Sequence, residues 1–130
     1  MGLEITTADV EGIPVATLAG ELDIYTVPHF QQTLEASFQE SRRIAVDFRQ
    51  VSLVDSSGLG ALLRIAQVDG SRWRPVVLIC EGPSMPRLLE LTKLEDRFIL
   101  VTDVSEMADA IEAAAQESPE RSNGGGAATG

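Results

Sequence analysis

The 130-residue chain is poor in the residues that most often carry chemistry, with one cysteine and one histidine. Cys80 has no partner for a disulfide within the chain, and no cysteine or histidine set has metal-ligand spacing. Because Cys80 ends the apolar run Val76–Ile79, we predict a small buried residue rather than a reactive thiol. His29 falls in a predicted helix without a partnering carboxylate, and no Gly-x-Ser-x-Gly elbow exists, so a serine hydrolase is not indicated.

Basic residues are also scarce, with 10 Lys and Arg against 20 Asp and Glu and a net charge of −10. Nucleic acid and anionic lipid are bound through Lys and Arg, so the sequence argues against both as partners. It has no membrane-length apolar run and no phosphate-binding loop, and we expect no signal peptide because the N-terminal residues lack a basic and apolar pattern. We predict a cytoplasmic protein without cofactor or metal. Asp23, Asp47 and Asp55 leave a divalent-ion site open as a minor alternative.

What the chain does contain fits one α/β domain, with 44% hydrophobic residues. Alternating and continuous apolar runs predict strands over residues 3–7, 13–18, 43–48, 75–80 and 98–101. Helical periodicity predicts four helices, near residues 26–38, 56–70, 84–92 and 105–115. This order predicts a mixed, mostly parallel sheet with an N-terminal hairpin, packed by about four helices. The domain is expected to span residues 1–116, and the Gly-rich segment 117–130 is expected to be a disordered tail.

The most informative segment is Val51–Gly60, where a predicted strand runs into a helix. It carries Ser56 and Ser57 at the point where the first helical N–H groups lack partners. Those groups and the helix dipole favour negative charge, so a serine here is suited to accept a phosphoryl group. Read alone, the same Asp-Ser-Ser-Gly run also fits an ordinary helix cap.

Polar residues follow three of the predicted strands, namely Asp23, Asp55 with its two serines, and Ser84. The carboxyl ends of parallel strands meet at one sheet edge, so we predict that these residues converge. Ser84 is also the predicted cap of the third helix. The Arg72–Arg74 segment is predicted at the opposite edge, as a partly packed tryptophan between two solvated arginines rather than a binding patch.

Three motifs together resemble the STAS-domain anti-sigma factor antagonists of bacteria, over about residues 3–115. They are Gly20-Glu21-Leu22-Asp23, Val46-Asp47-Phe48 leading to Val54-Asp55-Ser56-Ser57-Gly58-Leu59-Gly60, and Pro83-Ser84 before Arg87-Leu88. The resemblance implies a protein without enzymatic activity that, when unphosphorylated, binds an anti-sigma factor that is also a serine kinase. Binding frees a sigma factor, phosphorylation ends binding, and a serine phosphatase resets the system.

The resemblance also assigns site residues. It implies phosphorylation of Ser56, with Ser57 as the second choice. The family's partner-binding surface maps onto Asp23, Asp55, Ser56, Ser57, Gly58 and Leu59. Lys93 departs from the family, which often has a glycine where the third helix ends. If that position requires a positive φ, the lysine costs about 1 kcal/mol.

Two other functions stay open at this point. A STAS module could act as a constitutive adaptor in a lipid-transport or stress-signalling complex. The acidic loops could instead belong to a small enzyme or a nucleotide-binding protein.

Overall fold

The computed structural model of the protein describes residues 2–38, 40–69 and 72–123. Its central sheet has five strands in the order β1-β2-β3-β6-β7. These are β1 (Leu3–Val10), β2 (Ile13–Leu22), β3 (Ile44–Val54), β6 (Val76–Ile79) and β7 (Ile99–Val101). The pair β1–β2 is antiparallel and the other pairs are parallel. The predicted mixed sheet with an N-terminal hairpin is therefore confirmed.

Helices cover both faces of this sheet and create two hydrophobic cores. The helices are α1 (Val27–Phe38), α2 (Ser56–Ala66), α3 (Ser84–Leu91) and α4 (Met107–Asn123), and a small ribbon of β4 (Gln67–Asp69) and β5 (Arg72–Trp73) follows α2. The first three helices bury apolar residues such as Phe30, Leu62 and Leu89 on one face. On the other face α4 buries Met107 and Ile111. The predicted arrangement of about four helices is confirmed.

Strands β2 and β3 continue well past their predicted ends at Leu18 and Phe48. Their parallel pairing persists through two register irregularities, up to the pair Leu22–Val54. The extension contains several exposed polar residues, which break the alternation that marks a half-buried strand. As a result, the turn into α2 begins directly at the end of a strand, at Asp55.

Several helix boundaries also differ from the prediction. Helix α2 ends at Ala66, where β4 begins, and the predicted stop at Gly70 lies outside the described residues. Ser84 does not cap α3, because it is the first helical residue and Pro83 occupies the cap position without a side-chain hydrogen bond. Helix α4 continues to Asn123, so the predicted domain end at residue 116 falls within it. The remainder of the predicted tail, 124–130, lies outside the described residues.

The buried faces of α3 and α4 are narrower than predicted. The helical periodicity of the sequence also predicts that Thr92, Ala108 and Ala115 face the core, but all three are exposed. The hydroxyl of Thr92 instead donates to the Leu88 carbonyl, 2.8 Å away. Alanine and threonine bury little apolar area, so their positions in the helical pattern are weak evidence for a buried face.

Helix α3 ends at Leu91 with Thr92 as its C-cap, and the next residue, Lys93, has a φ of 62°, in the left-handed region. The Lys93 N–H donates to the Glu90 carbonyl at 3.1 Å, and the Leu94 N–H donates to the Leu89 carbonyl at 2.8 Å. This pair of bonds closes a helix around a left-handed residue, a position that favours glycine.

We expect Lys93→Gly to raise the free energy of unfolding by about 0.5–1 kcal/mol, because glycine removes the strain that a Cβ causes at this positive φ. The gain is smaller than the strain itself, since glycine also increases the entropy of the unfolded chain. Urea denaturation followed by circular dichroism measures the change. Lys93→Ala is the control, since it keeps the Cβ and should bring no gain. A Lys93→Gly protein less stable than wild type would contradict the assigned strain.

Candidate functional site

The carboxylate of Asp55 organises the turn between β3 and α2. Its Oδ1 accepts a hydrogen bond from the Gly58 N–H at 3.0 Å, and its Oδ2 accepts one from the Ile24 N–H at 3.3 Å. The Asp55 N–H donates to the Leu22 carbonyl at 3.2 Å. Asp55, rather than either serine, is therefore the N-cap of α2, and it links that helix to β2 and to the loop after β2.

Ser56 is the first residue of α2 and its side chain is exposed, whereas Ser57 is half-buried. The N–H groups at these two positions have no acceptor within the helix, and the helix dipole adds partial positive charge there. A phosphoryl group on Ser56 would therefore be electrostatically tolerated by the fold. Because the Ser56 hydroxyl is at the surface, an approaching enzyme can reach it.

Asp23 shapes the loop between β2 and α1. Its Oδ1 accepts hydrogen bonds from the Tyr25 N–H at 3.0 Å and the Thr26 N–H at 3.1 Å. The Thr26 hydroxyl in turn accepts from the Asp23 N–H at 3.0 Å and donates to the Glu21 carbonyl at 2.8 Å. The Ile24–Asp55 hydrogen bond joins this loop to the Ser56 turn, so two of the three predicted loops do converge.

The third predicted residue, Ser84, lies at the same sheet edge. It lines a cleft of about 350 Å³ between the end of β3 and the start of α3, together with Leu53, Val54 and Glu81. The convergence of Ser84 with the end of β3 is therefore confirmed, although Ser84 does not cap its helix.

Gly58 and Leu59, assigned above to the partner surface, are both buried. A Cβ on Gly58 would lie 2.6 Å from the Leu22 carbonyl oxygen, so only glycine permits this approach of α2 to β2. Leu59 is 6% exposed and packs in the core. These two residues position the turn, whereas a Cβ on Gly60, one residue further along, would meet only Arg64 Nη1 at 3.8 Å, an ordinary contact distance.

Two residues of this edge were missed by the sequence interpretation, Ile24 and Tyr25. They are 62% and 88% exposed in the loop that Asp23 shapes. The signal in the sequence was the placement of two large apolar residues between a strand end and a helix cap, where polar residues are the rule.

The remaining candidate groups are structural. Burial, with a smaller contribution from the charge of Asp47, raises the pKa of the Cys80 thiol to about 11, so the predicted inert buried cysteine is confirmed.

His29 is exposed on α1, near the Thr33 hydroxyl. Asp47 is 5% exposed and forms a bidentate pair with Arg49, with Nη2 and Oδ2 2.8 Å apart. Within the described ranges, no group of three or more acidic, histidine or cysteine side chains could hold a metal ion.

The predicted solvated role of Arg74 is wrong. Its guanidinium donates to the carbonyls of Phe38 and Ser41, each at 2.8 Å, and of Ile65 at 2.9 Å. Burial lowers its pKa. The cation of Arg97 stacks on the Trp73 ring, 4.4 Å from its centroid. The Arg72–Arg74 segment leads into the start of β6, and Arg74 also contacts the chain before β3 at Ser41, so it lies at the sheet edge opposite Ser56, as predicted.

Comparisons with known proteins identify the family of this chain. Residues 4–112 match the STAS domain family. The chain belongs to that family. An anti-sigma-B factor antagonist of Staphylococcus aureus is 31% identical over 97 residues, which are 74% of this chain and 90% of that protein.

Solved STAS structures share the fold. The crystal structure of an anti-sigma factor antagonist from Mycobacterium paratuberculosis superposes with a TM-score of 0.71 at 25% identity, covering 87% of this chain and 94% of that one. The unphosphorylated form of the anti-sigma factor antagonist SpoIIAA gives a TM-score of 0.59 at 23% identity, covering 86% and 98% of the two chains. The predicted STAS fold is confirmed. Among the described residues, no helix combines the length and apolar character needed to cross a bilayer.

Proposed function

We propose that this STAS domain antagonises an anti-sigma factor that is also a serine kinase. With Ser56 unmodified it binds that protein and frees a sigma factor, phosphorylation of Ser56 ends the association, and a serine phosphatase restores it. The observation that carries the proposal is an exposed serine at the first position of α2, beside the capping carboxylate of Asp55.

The comparisons support the same function. The relative in Staphylococcus aureus is an anti-sigma-B factor antagonist, and SpoIIAA has been solved in both unphosphorylated and phosphorylated forms. An anti-sigma factor antagonist acts where transcription occurs, so the proposal places the protein in the cytoplasm. Neither nucleic acid nor a membrane is needed as a partner, in keeping with the net charge of −10.

In this scheme the chain is a substrate and a ligand rather than an enzyme. The Ser56 oxygen forms a bond to the γ-phosphorus of ATP while the bond from that phosphorus to the β-γ bridging oxygen breaks, releasing ADP. The kinase supplies the metal ion and the base that takes the serine proton. This chain contributes position, since the bond from the Asp55 N–H to the Leu22 carbonyl and the bond from the Gly58 N–H to the Asp55 carboxylate fix the backbone on both sides of Ser56.

Ser56 is favoured over Ser57 as the acceptor because Ser57 is half-buried. The test is incubation with ATP and each purified anti-sigma factor kinase of the source genome, followed by peptide mass spectrometry. We expect one phosphate on Ser56, none on the Ser56→Ala protein, and normal phosphorylation of the Ser57→Ala control. Full phosphorylation of Ser56→Ala would contradict the assignment, and a constitutive adaptor would take up no phosphate at all.

A further inference from the structure

We propose that Ile24 and Tyr25 form an apolar anchor that holds the anti-sigma factor kinase and determines which kinase is bound. This inference rests on the function proposed above. Ile24, Tyr25 and Leu91 are the three most exposed large apolar residues in the described part of the chain, at 62%, 88% and 75%. Two adjacent apolar side chains in water are unfavourable for an isolated domain, so they point to a surface that a partner covers.

The loop that carries this anchor is held in place before any partner arrives. Asp23 accepts from the Tyr25 N–H at 3.0 Å, and Asp55 accepts from the Ile24 N–H at 3.3 Å. Both bonds use backbone N–H groups as donors, so they do not depend on the Ile24 and Tyr25 side chains. A fixed loop loses little entropy on binding, and exposed tyrosines of this kind are frequent interface hot spots.

Proximity to Ser56 identifies the occupant. A specific interface covers about 800 Å² on each protein, a patch roughly 16 Å in radius. A kinase docked on Ser56 must cover its chain neighbour Asp55, and with it the Ile24 backbone that Asp55 holds. Leu53, 49% exposed and paired with Glu21 across β2 and β3, extends the apolar surface on the same edge.

Charge defines the chemistry of that occupant. The carboxylates of Asp23 and Asp55 accept hydrogen bonds from the backbone of the anchor, on a chain whose net charge is −10. The complementary surface is an apolar pocket for the Tyr25 ring with Lys or Arg at its border. Among related kinases, the shape of this pocket would decide which one binds, while Ser56 decides when it binds.

The test is calorimetric titration of each purified anti-sigma factor kinase of the source genome with the full chain, without ATP. We expect Tyr25→Ala to weaken binding 10- to 100-fold and Ile24→Ala to weaken it about 5-fold, with melting temperatures unchanged. Tyr25→Phe keeps the apolar ring and should bind nearly as wild type. Leu91→Ala is the matched control, because it removes an equally exposed apolar side chain from α3, and its affinity should stay within twofold.

The outcomes separate this inference from the proposed function. If wild type and Tyr25→Ala bind equally while Ser56 is still phosphorylated, the anchor is overturned and the proposed function stands. An equal loss for Leu91→Ala would also overturn the anchor. If wild type neither binds any of these kinases nor accepts phosphate, both fail. Phosphorylation kinetics give a second readout, since Tyr25→Ala should raise KM for the chain and leave kcat for Ser56 unchanged.

Discussion

Gly58→Ala is expected to lower the free energy of unfolding by about 1–3 kcal/mol, the range typical of overpacking a closely packed site. The added Cβ would lie 2.6 Å from the Leu22 carbonyl oxygen and 2.8 Å from Leu22 Cγ. Leu22 is fully buried, and its carbonyl accepts the Asp55 N–H, so neither group can move away without breaking the turn. Alanine's better helix propensity offsets up to about 1 kcal/mol of the clash. Urea denaturation followed by circular dichroism measures the net change.

Gly60→Ala is the matched control for this substitution. It adds the same atom to the same helix two residues later, where the nearest group is Arg64 Nη1 at 3.8 Å. Without a clash, the helix gain should raise the free energy of unfolding by up to about 1 kcal/mol. If the two alanine variants had equal stabilities, the close packing of α2 on β2 would not be what fixes the Ser56 turn.

Local patterns predicted the elements whose buried faces are continuous. The spacing of Val27, Phe30, Leu34 and Phe38 in the sequence predicts one core-facing stripe, and these four are the buried residues of α1. The apolar run before Cys80 is likewise β6, buried at all four positions. In both cases the hydrophobic effect acts on residues with one clear period, so neighbouring sequence contains the answer.

Features that depend on distant parts of the chain could not be predicted. The guanidinium of Arg74 is held by carbonyls 9, 33 and 36 residues away, and no local pattern marks such a contact. The ends of β2 and β3 were missed because register irregularities and exposed polar residues hide the strand period.

Some features of the candidate site could be predicted from the local sequence, and others depend on distant parts of the chain. The motif around Ser56 was visible in the sequence because a helix start has a local signature. The buried position of Leu59 was also indicated, since it belongs to the apolar stripe of α2, although the family resemblance placed it on the partner surface. The hydrogen bond from Ile24 to Asp55 spans 31 residues, so only the folded chain reveals that the Ile24 loop is joined to Asp55, the residue before Ser56.

Phosphorylation of Ser56 is expected to weaken binding to the anti-sigma factor kinase more than a hundredfold. A neutral hydroxyl is replaced by a group that carries about −1.5 to −2 charges. At about 5 Å and an effective dielectric constant of about 20, each unit of that charge repels a carboxylate by about 3 kcal/mol. A hundredfold loss of affinity requires only about 2.7 kcal/mol.

The repulsion acts on the complex more than on the free domain. In the free domain water screens the phosphate, and the start of α2 offsets about 0.3–1 kcal/mol. In the proposed complex water is excluded, so the repulsion between the phosphate and the neighbouring Asp55 carboxylate is screened less than in the free domain. The melting temperature of the phosphorylated domain should therefore stay within a few degrees of wild type, while the interface is lost.

The most direct measurement is the Kd of the anti-sigma factor kinase for two forms of the full chain, one unmodified and one phosphorylated on Ser56 alone. We predict a ratio above 100, and a Ser56→Ala chain that binds as tightly as the unmodified form before and after treatment with kinase and ATP. Equal Kd values for the two forms would contradict the central claim, because the Ser56 hydroxyl would then not control association.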